Sequence, residues 1–191
     1  MRIARNKAAL STVVTTLIIL VVSVLLAGVV TMYGINITST RTQQEQLRLS
    51  KQKVWVNTSG DYVYAALTID NVGGRDVVID KIQVRGVEAS WSNVAYLRLS
   101  SPVSSSLIAP NSSYSSSLPG DNFVYVSGTK GDFSTASSDL PLASGDTLVI
   151  YIKSPDSINA NDIGTTVGIT VFTENAQYYV ECNIKTSEVA S

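Results

Sequence analysis

The stretch LSTVVTTLIILVVSVLLAGVVTMY, residues 10–33, decides the fold of this 191-residue chain. It has no charged side chain and no alternation of apolar and polar positions, which predicts a helix rather than a half-buried strand. At about 1.5 Å per residue the helix would span about 35 Å, enough to cross a hydrocarbon core about 30 Å thick. Arg2, Arg5 and Lys7 precede it. Because cationic flanks favour the cytoplasmic side, the N-terminus is expected to stay inside and the chain after Thr40 to be exported.

Three interpretations of this segment compete. A secretory signal peptide has an apolar region of about 7–15 residues and a small-x-small cleavage site. Here the run is longer, and its small pair Ala27-Gly28 follows two leucines. A permanent signal anchor would keep the whole segment. The third interpretation is cleavage before the apolar run, which removes a leader, residues 1–8, and leaves the helix on the mature chain.

The junction Lys7-Ala8, followed by the run ALSTVV at residues 9–14, resembles the class III signal of archaeal type IV pilins and archaellins. The resemblance implies that a membrane prepilin peptidase cuts after Ala8, so that Lys7, Ala8 and Ala9 form the cleavage site. In bacterial type IV pilins the fifth mature residue is usually Glu, whereas this chain has Val13 there. The similarity is therefore to the archaeal members of the family.

The resemblance to archaeal pilins implies that this chain has a structural function, as a filament subunit. The precursor would lie in the membrane with its N-terminus in the cytoplasm. The mature chain would then join an extracellular, homo-oligomeric helical filament on the cell surface, with the help of pilus assembly machinery. We expect a pilin used for adhesion; an archaellin of a motility filament and a non-polymerising, membrane-anchored binding domain remain alternatives. The residues expected to pack in the filament core, where small side chains allow close approach and branched ones fill gaps, are Val13, Leu17, Leu20, Val24, Ala27 and Gly28.

From Val54 onward the apolar period changes from helical to two, which predicts β-strands. Short strands separated by turn signals are typical of an antiparallel β-sandwich, and we expect an immunoglobulin-like one. The predicted fold class is α+β, a long N-terminal hydrophobic α-helix followed by this sandwich. Asn71-Val-Gly-Gly74 is expected to form a hairpin or a corner. The predicted strands are Tyr62–Asp70, Asp76–Val84, Phe123–Val126, Asp146–Lys153, Thr165–Thr173 and Gln177–Lys185.

The expected organisation has three parts: the leader 1–8, a hydrophobic helix and stem 9–52, and an exported β-sandwich domain 53–191. The stem is predicted because Thr40–Leu49 is a polar stretch rich in helix formers. Ser100–Leu118 contains ten serines and no apolar period. It is predicted to be a long surface loop.

Catalysis is not expected, because the chain has no His, the usual general base and zinc ligand. Its single Cys182 lies on the apolar face of a predicted strand, which favours a buried structural thiol. Gly128-Thr-Lys-Gly131 lacks the ending of a phosphate-binding loop. Neither a cofactor nor a metal is predicted. The loop carboxylates that leave a weak calcium site open are Asp121, Asp132, Asp139 and Asp146.

Charge argues against nucleic acid as a partner, since nucleic-acid binding needs clustered Lys and Arg. The whole chain has a net charge of −1, and loss of a leader with three of its 14 basic residues would leave a mature chain near −4. Three Asn-x-Ser/Thr sequons are candidate N-glycan acceptors in an exported chain: Asn36, Asn57 and Asn111. Asn111 is favoured because it lies in the serine-rich loop, and Asn36 is disfavoured because it lies at the membrane edge.

Overall fold

A computed structural model describes residues 2–42, 44–59, 61–155 and 158–187 of the chain. They fall into two compact units, which meet in the sequence between Gln43 and Gln44. The first unit is a single helix, α1 (Arg2–Thr42), and the second is rich in β-strands. The predicted α+β class, with a long apolar helix before a β-domain, is confirmed.

Helix α1 continues unbroken through the uncharged segment, which contains no proline. Its residues Ala9–Ser39 are long and apolar enough to cross a membrane. Five hydroxyl groups in this segment donate to backbone carbonyls three or four residues earlier, at 2.7–2.9 Å. Because these hydroxyl groups already have hydrogen-bond partners within the helix, they need no polar partner from an apolar environment such as lipid.

The helix ends at Thr42, so the predicted stem through Leu49 is wrong. Leu47 instead begins strand β1 (Leu47–Asn57), because its side chain is buried in the core of the β-domain. Beside it, the Arg48 guanidinium pairs with the Asp70 carboxylate at 2.8 Å. Tertiary packing here overrides the helix propensity of the polar stretch.

The predicted boundary between a helix and stem 9–52 and a domain 53–191 needs the same correction. Residue 52 lies inside β1, where the register against the neighbouring strand shifts between Ser50 and Lys53 and Lys51 has a φ of 55°. The β-domain starts at Gln44.

Its described strands after β1 are β2 (Tyr62–Asn71), β3 (Val77–Val84), β4 (Val87–Glu88), β5 (Val94–Leu99), β6 (Phe123–Val126), β7 (Thr129–Gly131), β8 (Ser134–Thr135), β9 (Leu140–Leu142), β10 (Thr147–Lys153), β11 (Thr166–Thr173) and β12 (Gln177–Thr186).

The strands form a mostly antiparallel, curled sheet with two halves. The central sheet has the order β1-β2-β10-β5-β8, and the outer sheet has the order β12-β11-β3-β4 with β9 also on β3. A short parallel pairing of residues 54–56 in β1 with residues 184–186 in β12 joins the two halves. Strands β2 and β3 do not pair, so Asn71–Gly74 forms a corner between the halves and not a hairpin.

The middle of the central sheet is buried on both faces, with β2 buried at all ten of its positions and β10 at six of its seven. One face packs against the outer sheet in an aliphatic core. The opposite face forms a second, aromatic core, whose members include Trp55, Tyr64, Leu107, Phe123, Phe133 and Tyr151.

The serine-rich segment 100–118 covers this aromatic core. Its only regular element is a 3-10 turn at Ser112–Tyr114, as the lack of period predicts. However, the Tyr64 hydroxyl donates to Ser117 O at 2.7 Å, the Tyr151 hydroxyl donates to Ile108 O at 2.9 Å, and Leu107 is fully buried. The segment is therefore a packed cover, and the prediction of a plain surface loop is incomplete.

At the corner, Gly73 allows the backbone to pass close to the segment Gln44–Gln46 that precedes β1. The N–H groups of Val72 and Gly73 both donate to Gln46 O at 3.0 Å, and the Asn71 side chain accepts from Gly73 N at 3.1 Å. A Cβ atom at Gly73 would lie 2.6 Å from Gln46 N and 2.7 Å from Gln44 O. Both contacts are with backbone atoms, so no side-chain rotation can relieve them.

We expect Gly73→Ala to destabilise the β-domain by about 1–3 kcal/mol, the usual cost of overpacking. Urea denaturation followed by tryptophan fluorescence measures this cost. Gly120→Ala is the matched control, because a Cβ there meets no atom within 4 Å, and its effect should stay within about 0.5 kcal/mol. Equal stability of the two variants would show that the crossing tolerates a side chain.

Candidate functional site

The apolar surface of α1 is the first candidate site. Eighteen large apolar side chains between Leu10 and Ile37 are exposed, Leu17 to 61%. Five of the six residues predicted to pack in a filament core follow one another at spacings of three or four, and so lie on one face of the helix: Val13, Leu17, Leu20, Val24 and Ala27. Gly28 lies beside this face, and a Cβ there would meet no atom within 4 Å.

The predicted cleavage site lies at the start of the same helix. The backbone of Lys7, Ala8 and Ala9 is helical, and Ala9 is exposed. The side chains of Lys7 and Ala8 lie outside the part of the chain that the structure describes. Cleavage between Ala8 and Ala9 stays a prediction.

The three sequons lie in different surroundings. Asn36 is an exposed residue of α1, and Asn111 is exposed at the start of the 3-10 turn, where its side chain accepts from Ser113 N at 3.1 Å. Asn57 is only 4% exposed, and its amide nitrogen donates to the Tyr62 hydroxyl at 3.0 Å. In the folded domain the Asn57 amide is therefore out of reach of a glycosyltransferase, and Asn111 is the better acceptor.

Cys182 is half-buried at the edge of the aliphatic core, next to the half-buried Val180. Burial raises the pKa of its thiol to about 11, from an ordinary value of 9.0. The neutral thiol is therefore the stable form at neutral pH, as a structural role requires.

The raised pKa predicts slow chemical modification of Cys182. A rise of about two pH units lowers the thiolate fraction at pH 8 by about 100-fold, and the thiolate is the reactive form. We expect Ellman's reagent to react at least about 100-fold more slowly with the folded chain than with the chain in guanidinium chloride. A folded-state rate within tenfold of the unfolded rate would contradict this.

Sequence reasoning missed a pair of clefts at one end of the aromatic core. One cleft, of about 400 Å³, is lined by residues that include Asn111, Tyr114, Asn122, Lys130 and Ser187. The other, of about 590 Å³, is lined by residues that include Trp55, Ile163 and Lys185. Ala109 lines both, so the two clefts adjoin at this residue, and we call them together the trough.

Cations cluster beside the trough. The pairing of β1 with β12 sets Trp55 opposite Lys185, so Lys53, two residues from Trp55, points to the same face as Lys185. Burial lowers the pKa of the Lys53 ammonium, and the positive charges of Lys185 and Lys51 lower it further. Lys53 and Lys51 also donate to the covering segment, at Leu107 O (3.2 Å) and Ser104 O (2.9 Å).

Ser187 contributes an unusual atom to the trough. Its backbone N–H donates to Val56 O at 3.0 Å, which places the residue beside β1. Its hydroxyl oxygen is buried and makes no hydrogen bond with any described residue. A buried, unpaired hydroxyl is costly, so such groups usually have a partner.

The four loop carboxylates do not form a metal site with one another. Asp132 instead accepts from Asn122 N at 2.8 Å. Within the described residues no group of three or more His, Cys, Asp and Glu side chains is arranged to hold a metal ion.

Comparison with known proteins adds little to this geometry. No family model matches the sequence, and no curated protein matches it. Among solved structures, the copper-bound PCuAC domain from PmoF2 is similar over 75% of this chain and 99% of that chain, at 9% sequence identity and a TM-score of 0.33. A likeness this weak supports no conclusion about the β-domain or its ligands.

Proposed function

We propose that the chain is the structural subunit of a surface filament similar to archaeal type IV pili. Its helix α1 would anchor the precursor in the membrane and afterwards form part of the filament core, while the β-domain coats the outside. The observation that carries this proposal is the exposed apolar surface of α1, which has 18 large side chains without cover in a single chain.

The energetics of that surface restrict where α1 can reside. Each large apolar side chain gains roughly 1.5–3 kcal/mol when it leaves water, so 18 of them hold the helix in an apolar surrounding. Lipid and a bundle of identical helices both provide one. Extraction from the membrane must therefore be coupled to packing in the filament, because an intermediate in water would lose the whole gain.

Packing would use the face that contains Leu17, Leu20 and Val24, with Ala27 and Gly28 allowing close approach of backbones. Val13 leaves the mature helix without the carboxylate found in bacterial pilins. Assembly in this proposal therefore depends on apolar contacts rather than on a charge pair.

For the β-domain we propose a modified immunoglobulin-like sandwich with no catalytic role. Support for the sandwich comes from the aliphatic core, in which the central and outer sheets pack face to face. The aromatic core with its serine-rich cover would be an addition to that plan. This exterior could provide the contacts of an adhesive filament.

Mass spectrometry of the native chain tests the proposal. We expect the mature N-terminus at Ala9, and we expect Lys7→Gln to leave an unprocessed precursor that forms no filaments. Lys81→Gln, the same change of charge on the β-domain, should be processed normally. An intact Met1 or Arg2 in the native chain would overturn the assigned cleavage.

Sheared surface material separates the filament from an anchored monomer. We expect sheared filaments to contain this chain. Its complete retention in the membrane fraction would favour a non-polymerising anchored domain. Loss of swimming in a deletion strain that keeps its adhesion would favour the archaellin alternative.

A further inference from the structure

We propose that the trough between the serine-rich cover and the joined ends of β1 and β12 binds an acidic oligosaccharide. The ligand class is a chain of sugars that carry carboxylates, such as uronic acids. This site goes beyond filament formation and does not depend on it, because every residue used lies in the β-domain.

Charge complementarity is the first argument. Among the described residues, the lining of the trough includes Lys130 in one cleft and Lys185 in the other, and it includes no Asp or Glu. Within the described residues the ion pairs are Arg48–Asp70 and Arg85–Asp162, so neither lysine is neutralised by a carboxylate. Two separated ammonium groups in adjoining clefts fit an extended ligand that carries negative charges at intervals.

The neutral polar groups of the trough are the second argument. Asn111, Asn122 and Tyr114 are among the residues that line its Lys130 end, and these side chains can hydrogen-bond sugar hydroxyls. The buried Ser187 hydroxyl lines the same cleft as Lys130 and has no hydrogen-bond partner among the described residues. A ligand hydroxyl or carboxylate seated there would supply the missing hydrogen bond.

The geometry favours a sugar chain over an acidic peptide. Peptides bound in extended form usually pair with an open strand edge. The covering segment beside the trough is irregular, and Tyr125 O on strand β6 already accepts from Ile108 N at 2.9 Å. A volume of about 400 Å³ in one cleft alone is within the usual range for ligand sites.

The test uses the full-length chain in detergent micelles, with tetragalacturonic acid as the probe and isothermal titration calorimetry as the readout. The fully methyl-esterified tetramer is the uncharged control ligand. We expect the acid to bind at least about tenfold more tightly than the ester. Equal affinity for the two would overturn the proposal, and so would equally tight binding of a tetraglutamate peptide.

Variants locate the site. Lys130→Gln and Lys185→Gln should each weaken binding of the acid about fivefold, whereas Lys81→Gln, on the outer sheet, should leave it unchanged. Ser187→Ala should weaken binding by a similar factor without lowering the melting temperature, because the hydroxyl has no hydrogen-bond partner among the described residues. Equal effects of Lys81→Gln and Lys185→Gln would show only general charge attraction, and would contradict a site in the trough. Filament formation is measured separately, so a failure here leaves the proposed assembly standing.

Discussion

Deletion of residues 1–43 is expected to give a soluble, folded monomer. The β-domain from Gln44 onward is a compact unit with its own two cores, and the deletion removes all 18 exposed large apolar side chains of α1. Those side chains are what would hold the full-length chain in lipid or in a filament. Size-exclusion chromatography with light scattering measures the mass, and a cooperative thermal transition shows folding.

A second truncation tests where the β-domain begins. A chain that starts at Lys53, the boundary that the sequence predicts, lacks Leu47 and the Gln46 carbonyl that accepts from Val72 and Gly73. It should be unfolded or less stable by about 3–5 kcal/mol, since burial of Leu47 and the first half of β1 are lost together. Equal stability of the chains starting at Gln44 and Lys53 would contradict the boundary drawn from the structure.

Tyr151→Ala is expected to lower the stability of the β-domain by about 3–5 kcal/mol. Tyr151 is fully buried on β10, and the rings of Phe123 and Phe133 lie edge-on to it with centroid distances of 5.1 and 5.5 Å. Truncation of a buried aromatic side chain costs about 3–5 kcal/mol, out of a total stability of about 5–15 kcal/mol for a typical domain. Urea denaturation of the chain that starts at Gln44 measures the loss.

Tyr151→Phe isolates the hydroxyl group. Burial raises the pKa of Tyr151, so the group is a neutral donor to Ile108 O. Its removal leaves the Ile108 carbonyl without this partner, and we expect a loss of about 1–3 kcal/mol. Tyr179→Phe is the matched control, because the Tyr179 hydroxyl donates to Glu181 at an exposed position. If both Phe variants had the same stability, the cover would not be held through Tyr151.

Alternation of apolar residues predicted the strands correctly where both ends of the pattern were marked by turns. Strands β10, β11 and β12 lie within a residue or two of their predicted limits, and Glu174–Ala176 separates the last two as expected. The prediction failed at Leu47 and Leu49, because two apolar residues among good helix formers are too short a pattern to reveal a strand. What decides that segment is its pairing with β2.

The aromatic core and the trough could not be predicted for a different reason. Phe133 is an isolated apolar residue, and Leu107 begins a run of three apolar residues inside the serine-rich segment. Only the fold shows that both cover the same face of the central sheet. Lys53 and Lys185 are 132 positions apart in the sequence and meet through the pairing of β1 with β12. Sequence periodicity describes neighbours along the chain and contains no information on such distant partners.

The parallel pairing of β1 with β12 also sets the order of events during synthesis. The first strand of the β-domain cannot complete its hydrogen bonds until residues 184–186 have been made, about 130 residues later. Until then β2 has an uncovered apolar face, because the outer sheet that covers it includes β11 and β12. Contacts of such long sequence separation are associated with slow folding. The uncovered face of β2 therefore stays open to contact with other chains until the last strand has been made.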